Sequence, residues 1–173
     1  MKKDNWIPKA FLMTFFIALI FSSASNLLIS KFNNSILLII ICLLFIIIGI
    51  VFDIIGTAVL TADEATFHAK SAKKIKGSKE GVYLIKNANR ISSICNDVIG
   101  DICGIVSGSI AAMLSINISI NLNISVVITT LIISSIVSSL TVGGKAIGKK
   151  YAIKTSDNII FITAKILNKF KKM

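Results

Sequence analysis

The chain has 173 residues, 54% of them apolar, a single Pro and a mean hydropathy of +0.85. A soluble domain of this size has no interior large enough for that many apolar side chains, so an integral membrane protein is implied. The formal net charge of +11 invites a nucleic-acid reading, which the placement of the charges argues against.

In chain order, Met1–Lys9 is a short basic head with Lys2, Lys3, Lys9 and an interfacial Trp6. Ala10–Ile29 follows as an apolar run that turns polar at Ser22, Ser23, Ser25 and Asn26. It reads as a transmembrane helix, or as a signal peptide with an apolar core at Ala10–Phe21 and a small-residue exit. The retained helix is favoured because apolar character resumes at Leu27–Ile29. After a polar break at Lys31–Asn34, Ser35 to about Ala62 is the strongest span, and Asp53, Gly56 and Thr57 sit towards its far end.

The stretch from Asp63 to Arg90 is rich in lysine. Gly77–Ser78 divides it into two short helices, with Gly suited to follow a helix end and Ser to cap the next. A basic helical hairpin lying on the membrane surface is expected. Ile94–Ile116 is the third span; it carries Asp97 and Asp101, and spaces Gly100, Gly104 and Gly108 four residues apart. Asn117–Ser125 reads as an uncharged loop, and Val126 to about Gly144 as the fourth span. In the basic tail from Lys145, Ile159, Ile162, Ile166 and Phe170 fall at helical spacing, which predicts an amphipathic helix on an anionic membrane surface.

Nineteen Lys and Arg residues are distributed very unevenly: three in the head, seven in the hairpin, eight in the tail and Lys31 alone elsewhere. With four spans, head, hairpin and tail share one compartment, the cytoplasm, by the positive-inside rule. No aromatic interleaving or base-reading module accompanies the lysines, so no nucleic-acid partner is expected. Both termini are then cytoplasmic in a multi-pass protein of a bacterial cytoplasmic membrane. Cys42, Cys95 and Cys103 lack metal-ligand spacing and read as small buried hydrophobes.

Acids inside membrane helices are costly and therefore default to functional candidates. Asp53 lies roughly 7 Å, and Asp101 roughly 6 Å, inward of their span centres at ~1.5 Å per residue. The two spans are antiparallel, so both acids fall in the cytoplasmic half, with Asp97 one turn from Asp101. Asp53, Thr57, Asn96, Asp97 and Asp101 are thus candidate metal ligands. Oxygen-only ligands suit magnesium, calcium or sodium. The competing expectation is that the acids are neutral or hydrogen-bonded to neighbouring helices. No nucleophile–base pair, His cluster or phosphate loop points to an enzyme.

Three motifs carry a resemblance. A long span ends in Phe52-Asp-Ile-Ile-Gly-Thr-Ala58, Leu84-Ile-Lys-Asn-Ala-Asn-Arg-Ile91 leads into the next membrane helix, and the last span ends in Val142-Gly-Gly-Lys-Ala-Ile-Gly-Lys-Lys-Tyr-Ala152. Over residues 36–170 this order resembles the membrane domain of the CorB/CorC/cyclin-M family of magnesium transport proteins. The first motif is similar to the family's Phe-Ser-x-x-Glu-x-Ala turn, the second to its Leu-Leu-x-Asn-Pro-x-Arg-Leu entry. The resemblance implies a three-helix, usually dimeric unit that binds dehydrated magnesium among serine, asparagine and backbone oxygens, with sodium exchange proposed for prokaryotic members. Gly56 replaces the family's Glu and Ala88 its Pro. The family's Gly-Asn-containing ion motif is not reproduced, and either Asn96-Asp97 or Gly100-Asp101 stands at its place, which adds Gly100 to the candidate ligands. The family's cytoplasmic paired cystathionine-synthase-type modules have no counterpart in these residues.

The expected architecture is therefore all-α: four transmembrane helices, a cytoplasmic basic hairpin and a C-terminal amphipathic helix. Residues 1–34 form the basic head and extra helix. Residues 35–173 form the transporter-like domain, with hairpin 63–90 and tail 145–173. The expected activity is transport or exchange of a divalent cation, magnesium or cobalt, with Mg2+ or Na+ bound as substrate. A homodimer through Gly100, Gly104 and Gly108 and contact of the basic segments with anionic lipid are expected. The alternative is a non-transporting membrane subunit whose acids pair with a partner.

Overall fold

A computed structural model of the protein describes residues 6–31 and 34–170. The head residues Met1–Asn5, part of the expected polar break and the last three residues lie outside the described residues. Among the described residues the chain is all-helical, with no strand. The helices are α1 (Trp6–Lys31), α2 (Ser35–Thr61), α3 (Glu64–Ala72), α4 (Ser78–Lys86), α5 (Ala88–Ser93), a π-helical segment (Ile94–Gly100), α6 (Asp101–Leu122), α7 (Val126–Lys154) and α8 (Ser156–Phe170). Pro8–Leu27, Ser35–Thr61, Ala88–Leu122 and Val126–Lys154 are long and apolar enough to cross a membrane, as a multi-pass membrane protein requires.

Two boundaries differ from expectation. The loop expected over Asn117–Ser125 is helical as far as Leu122. Ser119 stays buried, its hydroxyl donating to the Ile124 carbonyl, so the polar residues do not break the helix. The turn comes at Asn123, which takes a left-handed conformation (φ +52) that Asn tolerates. The fourth span, expected to stop near Gly144, continues as α7 to Lys154, with Gly144 and Gly148 serving helix contact.

The chain forms two compact units. The first comprises Met1–Gly49 and Gly100–Gly143. Its core sets Leu38, Cys42, Phe45 and Ile46 of α2 with Val106, Ile110, Ala111 and Leu114 of α6. The Cys42 thiol donates to the Ser107 carbonyl at 3.6 Å, and Phe21 of α1 meets Phe45 edge-to-face. α1 runs unbroken through Ser22–Asn26 and packs along α6. Phe11, Phe15 and Phe16 of α1 and Val127 and Leu131 of α7 are exposed, an apolar surface suited to lipid.

The second unit comprises Ile50–Ile99 and Gly144–Met173. Its core is Ala58, Val59, Phe67, Leu84, Ala152, Ile160 and Ala164. α4 packs between α3 and α8, and Gly81 is required there because a Cβ would overlap the buried Phe67 ring. Lys70 lies over the rings of Phe67 and Phe161, at 5.1 and 4.8 Å from their centroids. Asp63 caps α3, accepting from the backbone N–H of Ala65 and Thr66, while its own N–H donates to Asp157 at 2.9 Å. The Thr66 hydroxyl, then the Ala65 N–H, hold the Asp63 carboxyl below the ordinary aspartate range.

The break between α3 and α4 falls at Gly77, as its residue type predicts, but its chemistry differs. Gly77 (φ +88) precedes α4 without a side-chain cap, and the Ser78 hydroxyl donates back to the Ile75 carbonyl at 2.6 Å. In α8 the buried row is Ser156, Ile160 and Ala164, whereas Ile162, Ile166 and Phe170 are exposed. The apolar row read from the sequence is thus the uncovered face of the helix, apart from Ile159, which packs against the core.

Candidate functional site

Asp53 sits inside α2 and is 2% exposed, an acid removed from solvent within a helix built mostly of Ile, Leu and Val. A lone carboxylate in such a setting would carry a large desolvation cost, so its neighbours decide its state. The Lys149 ammonium of α7 stands 3.7 Å from Asp53 Oδ1. The partners differ in setting: the Asp53 side chain is 3% exposed and that of Lys149 is 49% exposed.

Lys149 reaches Asp53 because α7 lies very close to α2. A Cβ at Gly148 would stand 2.8 Å from Ile54 Cγ1, and one at Gly144 would overlap the end of Ile50. Ala152, one turn further, is fully buried. Gly144, Gly148 and Ala152 form a small-residue stripe that brings helix backbones together, the usual device for close contact in membranes.

Asn96 lies in the π-helical segment, where a widened turn interrupts the regular helix. Such turns in helices are rare and frequent at functional sites. Its Nδ2 donates to the Ser92 hydroxyl at 3.2 Å. Its Oδ1 is buried and accepts no hydrogen bond among the described residues. The carboxamide rests against Gly56: a Cβ there would lie 2.7 Å from Asn96 Cγ and overlap Oδ1. Gly56 is the residue one turn beyond Asp53 on α2, so a buried carboxylate and an undonated carbonyl oxygen are presented to the same unit.

The remaining sequence-predicted residues fall differently. Thr57 is half-buried on α2, and its carbonyl accepts from Thr61 Oγ1 at 3.2 Å. Asp97 is exposed and accepts from Ser93 Oγ at 2.7 Å. Gly100 and Asp101 belong to the first unit; Gly100 is buried, its carbonyl 3.5 Å from where a Gly49 Cβ would stand, and Asp101 is exposed. Among the described residues, no three His, Cys, Asp or Glu side chains gather to hold a metal ion. His68 pairs with Glu64 at 3.1 Å. The three cysteines are buried free thiols.

Three features were missed from the sequence: Lys149 beside Asp53, Ser92 as the anchor of Asn96, and the π-helical turn. The first had a readable signal in the Gly144, Gly148, Ala152 spacing, which continues a membrane-type stripe into a segment that its lysines mark as tail. Searches against family models, curated proteins and solved structures find no match to this chain.

Proposed function

We propose that the protein is a divalent-cation transporter or exchanger, with magnesium or cobalt as cargo. Its ion site lies in the second unit on Asp53 and Asn96, with Thr57, Ser92 and Asp97 as further oxygen donors. One observation carries this reading: Asn96 Oδ1 is a buried acceptor with no donor among the described residues, held against Gly56 one turn from a buried carboxylate. A buried acceptor left unsatisfied costs about 1–3 kcal/mol, so its retention favours a ligand that completes it. Hard cations prefer such carboxylate and carbonyl oxygens. Magnesium sheds water reluctantly, and two acids with several neutral oxygens lower that cost.

The charge asymmetry supports a cytoplasmic hairpin, tail and termini in a bacterial cytoplasmic membrane. A groove of about 440 Å3 lined by Lys74, Lys76, Lys79, Gly77 and Asn168 supports contact with anionic lipid. Within its own chain nothing among the described residues lies within 4 Å of a Cβ built at Gly104 or Gly108, which leaves that face open for a homodimer.

The Asp53–Lys149 pair favours a second reading, a non-transporting subunit whose acid is simply neutralised. Transport in proteoliposomes across magnesium, cobalt, manganese and sodium separates the two. The transporter reading expects magnesium-dependent flux; no flux, together with no calorimetric magnesium binding at millimolar concentration, selects the subunit.

A further inference from the structure

The geometry points to Lys149 as a tethered counter-cation that competes with the cargo for Asp53. We infer that its ammonium neutralises the emptied site and swings away when a divalent cation binds. This deepens the transporter reading and rests on it.

Three observations carry the inference. First, the ammonium-to-carboxylate separation of 3.7 Å is longer than the roughly 2.7–2.9 Å of a charge-assisted hydrogen bond. The pair is held by Coulomb attraction more than by a directional bond, so it can open without losing a tight hydrogen bond. Second, the two ends are unequally covered. Asp53 is enclosed, whereas half of the Lys149 side chain is exposed. A long lysine stem can carry its charged head outward while its methylenes stay against apolar surface, so the ammonium has a place to go. Third, the backbone beneath Lys149 is fixed. Gly148 sits against Ile54, Gly144 against Ile50, and Ala152 is fully buried. Opening the pair is therefore a side-chain movement and leaves α7 in place.

Competition by a tethered group has a definite consequence. The ammonium is present at a high effective concentration, so it lowers the apparent affinity of every cation by one common factor. An ion of charge two attracts the carboxylate twice as strongly as one of charge one at equal distance, and so displaces the ammonium more readily. At equal concentration a divalent ion enters where a monovalent ion is held off. Lys149 thus sets the concentration at which a cation gains Asp53, leaving the preference for a divalent ion to its charge, and is no ligand itself.

The test uses the full chain in lipid nanodiscs, titrated calorimetrically with magnesium chloride and with sodium chloride. Lys149→Met is expected to tighten magnesium binding about tenfold, within the usual range of coupling between sites. Sodium should then compete at correspondingly lower concentration. Lys149→Arg, whose fork can bind a carboxylate through two hydrogen bonds, is expected to weaken magnesium binding. Thermal unfolding supplies a readout free of transport: magnesium should raise the Tm of Lys149→Met more than that of the wild type, because the ion replaces the lost counter-charge. Unchanged magnesium affinity in Lys149→Met, or a loss of stability that no divalent ion restores, overturns the inference alone. A wild-type protein that binds no cation overturns the site reading and the inference with it.

Discussion

The two compact units handle buried polar groups in different ways. In the first, several are hydroxyls satisfied by their own helix: Ser115 donates to the Ala111 carbonyl at 2.7 Å and Ser107 to the Gly104 carbonyl at 2.9 Å. Such bonds are local, and they cost little and demand little from neighbouring helices. Ser25 Oγ and Asn117 Nδ2 of the same unit are buried with no hydrogen-bond partner among the described residues. In the second unit the buried polar groups include a carboxylate and a carboxamide whose surroundings come from other helices: Asp53 faces Lys149, and Asn96 rests on Gly56. A hydroxyl bonded to its own backbone is a packing solution. A carboxylate whose counter-charge arrives from a distant segment is by default a functional candidate.

That contrast can be broken or sharpened by substitution. The largest structural effect is expected at Phe67→Ala, which empties the core of the second unit; removal of a fully buried Phe costs about 3–5 kcal/mol. Denaturation in mild detergent should show the loss, and the first-unit thiols Cys42 and Cys103 should remain protected from labelling if the units are separately stable. Gly148→Val comes next. Its added carbons meet Ile54, an overpacking penalty of about 1–3 kcal/mol. It should push α7 from α2, loosening the Asp53–Lys149 pair and lowering Tm.

Acidification gives a smaller effect. Thr66 and the α3 backbone favour the charged form of Asp63. Its contribution is therefore complete above the ordinary aspartate value and disappears as the pH falls through the lower folded value. Comparing the Tm of wild type and Asp63→Asn across that acidic range should show the two curves converging as the pH drops. Ser115→Ala should matter least, changing stability by less than about 1 kcal/mol, since only a hydroxyl-to-backbone bond is removed. A larger loss would show that the first unit, too, depends on specific polar contacts.

Much of the helical order was legible because membrane spans write themselves in long apolar runs. Ser35–Thr61 could be read almost to the residue, and Gly77 marked the break between α3 and α4 because a left-handed position favours glycine. Neighbour-dependent features were not legible. Gly143 and Gly144 look like a helix stop, yet α7 passes through them because Gly144 is used for contact with Ile50. Asn117–Ser125 looks like a loop by composition, yet Ser119 is buried and its hydroxyl is satisfied, so the helix continues. In α8 the exposed row of Ile162, Ile166 and Phe170 was legible as the apolar face of an amphipathic helix, whereas the buried row of Ser156, Ile160 and Ala164 was not. For the candidate site, the acids were visible as charges in apolar helices. Which of them is enclosed and paired depends on residues more than ninety positions away in sequence, as Lys149 is from Asp53, and no local pattern records that.

The most direct measurement is magnesium flux into proteoliposomes for wild type, Asp53→Asn, Asn96→Ala and Asp101→Asn at matched insertion and density. A site confined to the second unit predicts that Asp53→Asn abolishes flux and Asn96→Ala reduces it severely, while Asp101→Asn retains most of it. Full flux in both Asp53→Asn and Asn96→Ala would contradict the account.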